Sequence, residues 1–180
     1  MSSTSTYNLT LNTLQAGLPG ITEAWGKLLC EASAYCFECQ NHPKGVELKV
    51  RGMSTTSFNV FWETIITDQL RSAWNDEQDL TEFGACGIAI LLILKLTGFT
   101  VIERARKGTG IDYWLGHKNA ERPFQNAARL EISGILNGDA NAVKTRVNKK
   151  IKQTKPSDGT LPAFVVVVEF SEPQSHLVQK

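Results

Sequence analysis

The sequence predicts an α/β fold, with a mixed sheet flanked by helices, in a single domain over residues 1–180. Segments with apolar residues at helical spacing alternate with short segments of period two. Four consecutive valines at 165–168 are typical of a strand covered on both faces. The run 84–94 is apolar nearly all round, as expected for a buried central helix. With 42% hydrophobic and 21% charged residues, the chain has the composition of a folded globular protein.

Residues 1–78 are predicted to form an N-terminal α/β extension. Alternating residues at 7–11 and 46–51 predict two short strands, and apolar residues at helical spacing predict a helix over 21–39. The polar segment 52–57 is expected to be a loop. A second amphipathic helix is expected to run to about Trp74. Its apolar stripe comprises Phe58, Phe61, Trp62, Ile65, Ile66 and Leu70.

Residues 79–172 are predicted to form a core with the order helix, strand, strand, strand, helix, strand. Asp79-Leu80-Thr81-Glu82 has the form of a capping box that opens the apolar helix, which runs to Leu96. Strand-like patterns follow at 99–105, 110–116 and 127–135. A basic helix over 140–153 then leads to a β-rich run at 163–170.

Composition and termini argue against export or a membrane span. The first six residues have neither a basic nor an apolar region, so a cytoplasmic location is expected. The longest apolar run falls short of the roughly 18 to 20 residues that cross a bilayer. Without an export signal, cysteines are expected as free thiols. A zinc-like cluster and the buried stripe of a helix both remain open for Cys30, Cys36, Cys39 and His42.

The order of elements from residue 79 resembles the PD-(D/E)XK superfamily, the restriction-endonuclease-like fold. The resemblance covers about residues 79–172. It implies a Mg²⁺- or Mn²⁺-dependent nuclease, an endonuclease in a restriction, mobile-element or phage-defence setting. The positions matching the family's metal-binding acids are Asp112 in Gly-Ile-Asp-Tyr-Trp-Leu, Glu131 in Arg-Leu-Glu-Ile-Ser, and Glu82 in the first helix. Capping of the helix is the competing role for Glu82.

These acids suit the chemistry because Mg²⁺ prefers oxygen ligands and a phosphodiester needs its developing charge neutralised. Period-two alternation places Arg129, Glu131 and Ser133 on one face of their strand. Asp112 lies in a strand that is otherwise buried, so its carboxylate needs a partner, either a metal or Arg129.

Ser133 stands where the family has a lysine. A serine can position a water molecule but supplies no positive charge. A lysine from a neighbouring element is expected to replace that charge, and Lys107, Lys118 and Lys149 are the candidates. A member that binds without cutting is the alternative.

The predicted basic helix gives the chain an uneven charge. Segment 143–155 has six Lys or Arg and no acid, so the remaining residues sum to −5 although the net charge is +1. Such a surface favours a polyanion, and nucleic acid is expected as the partner, DNA more than RNA. The residues expected to contact phosphates are Lys144, Arg146, Lys149 and Lys150.

Two other hypotheses remain. The chain could be a non-catalytic interaction or scaffolding subunit that uses its apolar N-terminal helices and basic face, or a small-molecule enzyme on another α/β fold. So small a protein is also expected to work as a homodimer or with partner subunits, which is an argument from the fold alone.

Overall fold

The computed structural model describes residues 7–119, 121, 124–155, 159 and 161–180. The four helices of these residues are listed in chain order: α1 Glu23–Cys39, α2 Asp68–Ala73, α3 Glu77–Leu96 and α4 Ala140–Gln153. The eight strands are β1 Tyr7–Thr10, β2 Val46–Gly52, β3 Thr56–Phe61, β4 Phe99–Arg104, β5 Tyr113–His117, β6 Ala128–Ile135, β7 Ala163–Glu169 and β8 Gln174–Gln179. A short 3₁₀ helix, Leu11–Ala16, follows β1.

All eight strands join in one mixed sheet, in the order β1-β3-β2-β8-β7-β6-β5-β4. Strands β4, β5 and β6 form an antiparallel meander, and α4 carries the chain from β6 to β7, which pairs parallel to β6. The last strand, β8, lies between β7 and β2. The sheet is therefore continuous from the N-terminal segment into the segment after residue 79, and the predicted α/β class with a mixed sheet is confirmed.

The valine strand β7 is buried along all of its seven residues. Val166 and Val168 belong to the main core, which also contains the buried residues of α3. Val165 and Val167 form a second cluster with Val143 and Val147 of α4. The prediction of a strand covered on both faces is confirmed, because α3 and α4 lie on its opposite sides.

Helix α3 is the central helix, as its apolar sequence predicts, and it packs closely against α1. Ser33 of α1 donates its hydroxyl to the carbonyls of Leu29 and Gly84, at 2.8 and 2.9 Å. A Cβ at Gly87 would lie 2.2 Å from the Ser33 Oγ, so glycine permits this approach. In the described part of the chain, no helix combines the length and apolar character needed to cross a bilayer.

The predicted capping box is wrong. Helix α3 begins at Glu77, and its N-cap is Asp76, whose side chain accepts a hydrogen bond of 2.9 Å from the Asp79 backbone N–H. Asp79 therefore lies within the first turn. Glu82 is displaced from the capping position and projects from the exposed side of the helix.

The predicted second helix from Phe58 is also wrong in its first half. Residues 56–61 form β3, in which Phe58 and Val60 are buried at alternate positions. Helix α2 is short and covers only Asp68–Ala73. The alternation continues to the buried Trp62, and β3 pairs with both β1 and β2, so sheet pairing prevailed over the helical spacing of the aromatic residues.

Helix α4 has the predicted bounds and a side-chain N-cap. The Asp139 carboxylate accepts a hydrogen bond of 2.8 Å from the Ala142 N–H. Replacing Asp139 by Ala is expected to lower the free energy of unfolding by about 1 kcal/mol, because the first turn loses its acceptor. Urea unfolding measures this change.

The matched variant Asp139→Asn keeps the acceptor and should stay within about 0.5 kcal/mol of the wild type. Equal losses in the two variants would contradict a capping role. The cap matters for function because α4 supplies several side chains to the site described below.

Candidate active site

Asp112 and Glu131 meet where β5 begins beside β6. Asp112 immediately precedes β5, and its backbone N–H donates to the Leu130 carbonyl at 2.8 Å. Its Oδ2 accepts a hydrogen bond of 2.7 Å from the Ile132 N–H. These two bonds fix the Asp112 carboxyl against β6, where it is in hydrogen-bonding contact with the carboxyl group of Glu131.

Helix α4 closes this carboxyl pair from the side. The Glu131 side chain is only 1% exposed, and its Oε1 accepts a 2.6 Å hydrogen bond from Lys150 Nζ. The amide of Gln153, about one turn further along α4, donates to the same oxygen at 2.9 Å. The pair therefore has one cation and one neutral donor directed at it.

Burial and mutual repulsion raise the pKa values of both acids. The pKa of Glu131 rises from 4.5 to about 7, first because burial penalises the charged form and then because of the negative charge of Asp112, while Lys150 opposes the rise. The pKa of Asp112 is also raised by burial, against the lowering effects of the Ile132 N–H and Lys150. Near neutral pH the pair therefore tends to hold a proton in the absence of a second cation.

Ser133 is adjacent to this pair and interacts with a cation from α4. Arg146 donates from Nη1 to the Ser133 Oγ at 2.8 Å and to the Gly134 carbonyl at 3.2 Å. The serine is buried, with 8% exposure. The guanidinium of Arg146 thus supplies positive charge beside the position where the resemblance implies a lysine.

The carboxyl pair opens into a cleft of about 1080 Å³. Of the sequence-predicted residues, the cleft brings together Glu82, Lys107, Asp112, Glu131, Ser133, Arg146, Lys149 and Lys150. Lys144 lies elsewhere, on the exposed surface of α4. Lys118 donates to the carbonyls of Leu94 and Thr97 (2.8 Å to Thr97), which holds its charge at the end of α3 and away from the cleft lining.

Glu82 faces the same cleft from α3 but does not join the carboxyl pair. Its Oε1 accepts a 3.0 Å hydrogen bond from the Gln78 amide. Among the described residues, no three His, Cys, Asp or Glu side chains form a group that could hold a metal ion. A role for Glu82 as a third metal ligand stays a prediction.

Arg129 has partners other than the one proposed for it. Its Nη2 donates to the Leu161 carbonyl at 2.8 Å, and its Nη1 donates to the Thr154 carbonyl at 3.4 Å. The observed partners of the Asp112 carboxyl are the Ile132 N–H and Glu131. Arg129 therefore ties the end of α4 to the segment before β7.

The cysteines of the N-terminal half point to separate neighbours. Cys36 donates to the Leu80 carbonyl, Cys39 donates to the Cys36 carbonyl, and Cys30 contacts the side chains of Gln15 and Thr64. His42 Nε2 lies 2.9 and 3.0 Å from the carbonyls of Phe170 and Ser171. Cys30, Cys36 and Cys39 are free thiols of α1, and the first two are buried on its core-facing side, which supports the helix-stripe interpretation.

Sequence reasoning placed Lys150 on the phosphate-binding face and overlooked Gln153. The spacing of Lys150 from the apolar residues of α4 nevertheless indicates that this lysine faces the sheet. Lys150 follows Val143 by seven residues and Val147 by three, so it shares the face that these buried valines turn toward the sheet. A lysine on such a face has to find a polar partner on the sheet, and Glu131 is that partner.

The sequence gives no significant match to a protein-family model or to a curated protein.

Proposed function

We propose that this protein is a metal-dependent phosphodiesterase that cleaves nucleic acid, with a restriction-endonuclease-like core. The observation that carries the proposal is the contact of Asp112 and Glu131 at the base of a cleft, with Lys150 bonded to Glu131 at 2.6 Å. Acids with strongly perturbed pKa values in a cleft are typical of functional sites.

The connectivity around the site supports the same proposal. Helix α3, the meander of β4, β5 and β6, helix α4 and the parallel strand β7 follow in the order that the resemblance implies. The two acids come from β6 and from the residue before β5, and the lysine comes from α4.

The carboxyl pair fits a divalent cation such as Mg²⁺ or Mn²⁺. Mg²⁺ in phosphoryl-transfer sites is bound by one or two carboxylates, with water and substrate oxygens completing the shell. A further cation is supported by the raised pKa of Glu131, because burial and the Asp112 charge disfavour two ionised acids here despite Lys150. When bound, such a cation would neutralise phosphate charge and make a water molecule more acidic.

The protein's own groups surround the position of the scissile phosphate. Hydrolysis forms a bond from a water oxygen to phosphorus and breaks the bond to the leaving oxygen, which takes up a proton. Lys150 would stabilise negative charge on the phosphoryl oxygens, in the role that Ser133 cannot perform. Arg146 orients the Ser133 hydroxyl and adds a second fixed cation beside it.

The proposal is tested by incubating the protein with plasmid DNA, single-stranded DNA and RNA in Mg²⁺ or Mn²⁺. The wild type is expected to cleave at least one of these substrates. Lys150→Gln should cleave it about 100-fold more slowly, since it loses one preorganised cation. Gel analysis of initial rates measures the effect.

Lys144→Gln is the matched control, since Lys144 is on the same helix but on its exposed surface. It should keep the wild-type rate to within about threefold, a change of under 1 kcal/mol. Failure of the wild type to cleave any substrate in either metal would overturn the nuclease proposal and favour a non-catalytic binding subunit.

A further inference from the structure

The two walls of the cleft differ in charge. Apart from Asp112 of the carboxyl pair, the charged cleft residues of α4 and of the segment between β4 and β5 are all basic, whereas α3 contributes Glu77, Gln78, Glu82 and Phe83. On the basic wall, Arg106, Lys107 and Lys149 have exposed side chains. A phosphate backbone is therefore attracted more strongly to the basic residues than to the surface of α3.

The wall formed by α3 offers an aromatic surface. Phe83 is half-buried, lines the cleft, and is flanked by Trp25 and Trp74 at centroid distances of 5.5 and 5.8 Å. Arg104 covers Trp25, with its guanidinium carbon 4.9 Å from the ring centroid. Phe83 is thus the ring of this group that also faces the cleft.

These two walls suit a strand whose bases are free. In a duplex the faces of the bases are stacked on their neighbours, so an aromatic side chain inside a cleft has free access to the face of a base when that base is unpaired. A basic groove beside an aromatic side chain is the combination by which proteins bind single strands. The cleft volume of about 1080 Å³ is slightly larger than that of an ordinary small-ligand pocket. It leaves room for a short segment of a nucleic-acid strand.

We propose that the cleft binds single-stranded nucleic acid in one orientation, with phosphates along Arg106, Lys107 and Lys149 and a base stacked on Phe83. This inference rests on the proposed function for the chemistry of the strand. It assigns that function a single-stranded substrate and gives Phe83 and Arg106 a role in binding.

The test is fluorescence anisotropy of a labelled 12-nucleotide oligo(dT) and a 12-base-pair duplex, in EDTA so that cleavage does not contribute. The single strand is expected to bind at least about tenfold more tightly, since one base stacked on an aromatic ring is worth a factor of roughly 5 to 150. Phe83→Leu and Phe83→Met should lose about that factor on the single strand. Two variants are used because Met also fills the space between the tryptophans.

The salt dependence separates the two walls. Three phosphate contacts give a slope of log K against log salt of roughly −2, and Arg106→Gln or Lys149→Gln should each lower its magnitude by about 0.7. The Phe83 variants should weaken binding and leave the slope unchanged, which a general loss of folding would not do. Phe124→Leu and Lys27→Gln, at exposed positions outside the cleft lining, are the controls and should match the wild type.

Equal or tighter binding of the duplex, no binding of either probe, or unchanged affinity in both folded Phe83 variants would overturn this inference. Single-strand binding with the expected variant effects, together with no cleavage in Mg²⁺ or Mn²⁺, would leave it standing and remove the proposed function alone. Cleavage accompanied by duplex preference would do the reverse.

Discussion

Asp112→Asn and Glu131→Gln are each expected to reduce nucleic-acid cleavage at least about 1000-fold, equivalent to roughly 4 kcal/mol of transition-state stabilisation. Each substitution keeps the size of the side chain and removes one of the two anionic groups that fit a divalent cation. The fall should be larger than in Lys150→Gln, because the lysine contributes one of several cations in the cleft. Initial rates at saturating Mg²⁺ measure it.

Glu47→Gln is the control for removing a glutamate charge, because Glu47 is exposed on β2, far from the cleft lining in the sheet order. It should cleave at the wild-type rate. Isothermal titration with Mn²⁺ provides a second measurement, in which the heat of binding should disappear in both site variants. Full cleavage by either variant would remove its carboxyl group from the mechanism.

Glu131→Gln is also expected to change how stability depends on pH. Because the pKa of Glu131 is raised from 4.5 to about 7, the folded protein binds more protons than the unfolded chain between these values. The wild type therefore loses stability as the pH rises through this window. A rise from 4.5 to about 7 corresponds to about 3 kcal/mol, and glutamine does not ionise.

Urea unfolding of the wild type and Glu131→Gln at several values between pH 4 and pH 8, without divalent metal, measures this effect. The stability of the variant relative to the wild type should increase by about 3 kcal/mol from the lower to the higher pH. The exposed Glu47→Gln should show no such trend. Parallel curves for Glu131→Gln and the wild type would mean that the carboxyl pair ionises as freely as in water.

The parts of the site that were predictable are those where a charge interrupts an apolar pattern. Asp112 immediately precedes the buried Tyr113 of β5, and Glu131 lies between the buried Leu130 and Ile132 of β6. An acid at either position therefore needs a specific partner. The bounds of α4 were predictable for a similar reason, since Asp139 marks the start and the two valines Val143 and Val147 mark the buried face.

The rest depends on contacts that sequence spacing does not determine. Phe58 and Phe61 fit a helix and a strand equally well, and the pairing of β3 with two other strands decided between them. Strand β8 alternates too weakly to be recognised in the sequence, and its place between β7 and β2 follows from long-range pairing. The partners of Lys150 and Arg146 depend on how α4 rotates over β6, which only the packed structure fixes.

The position of β8 has a consequence for the order of assembly during translation. β2 and β7 lie far apart in the sequence, and the strand that joins them is made after both. The three N-terminal strands β1, β3 and β2 cannot be joined to β7 through β8 until residues 174–179 have left the ribosome. Pairing over such sequence distances is slow, and waiting strands expose unpaired backbone edges. In a nascent chain of this protein, the edge of β2 that pairs with β8 therefore stays unpaired until residues 174–179 have been made.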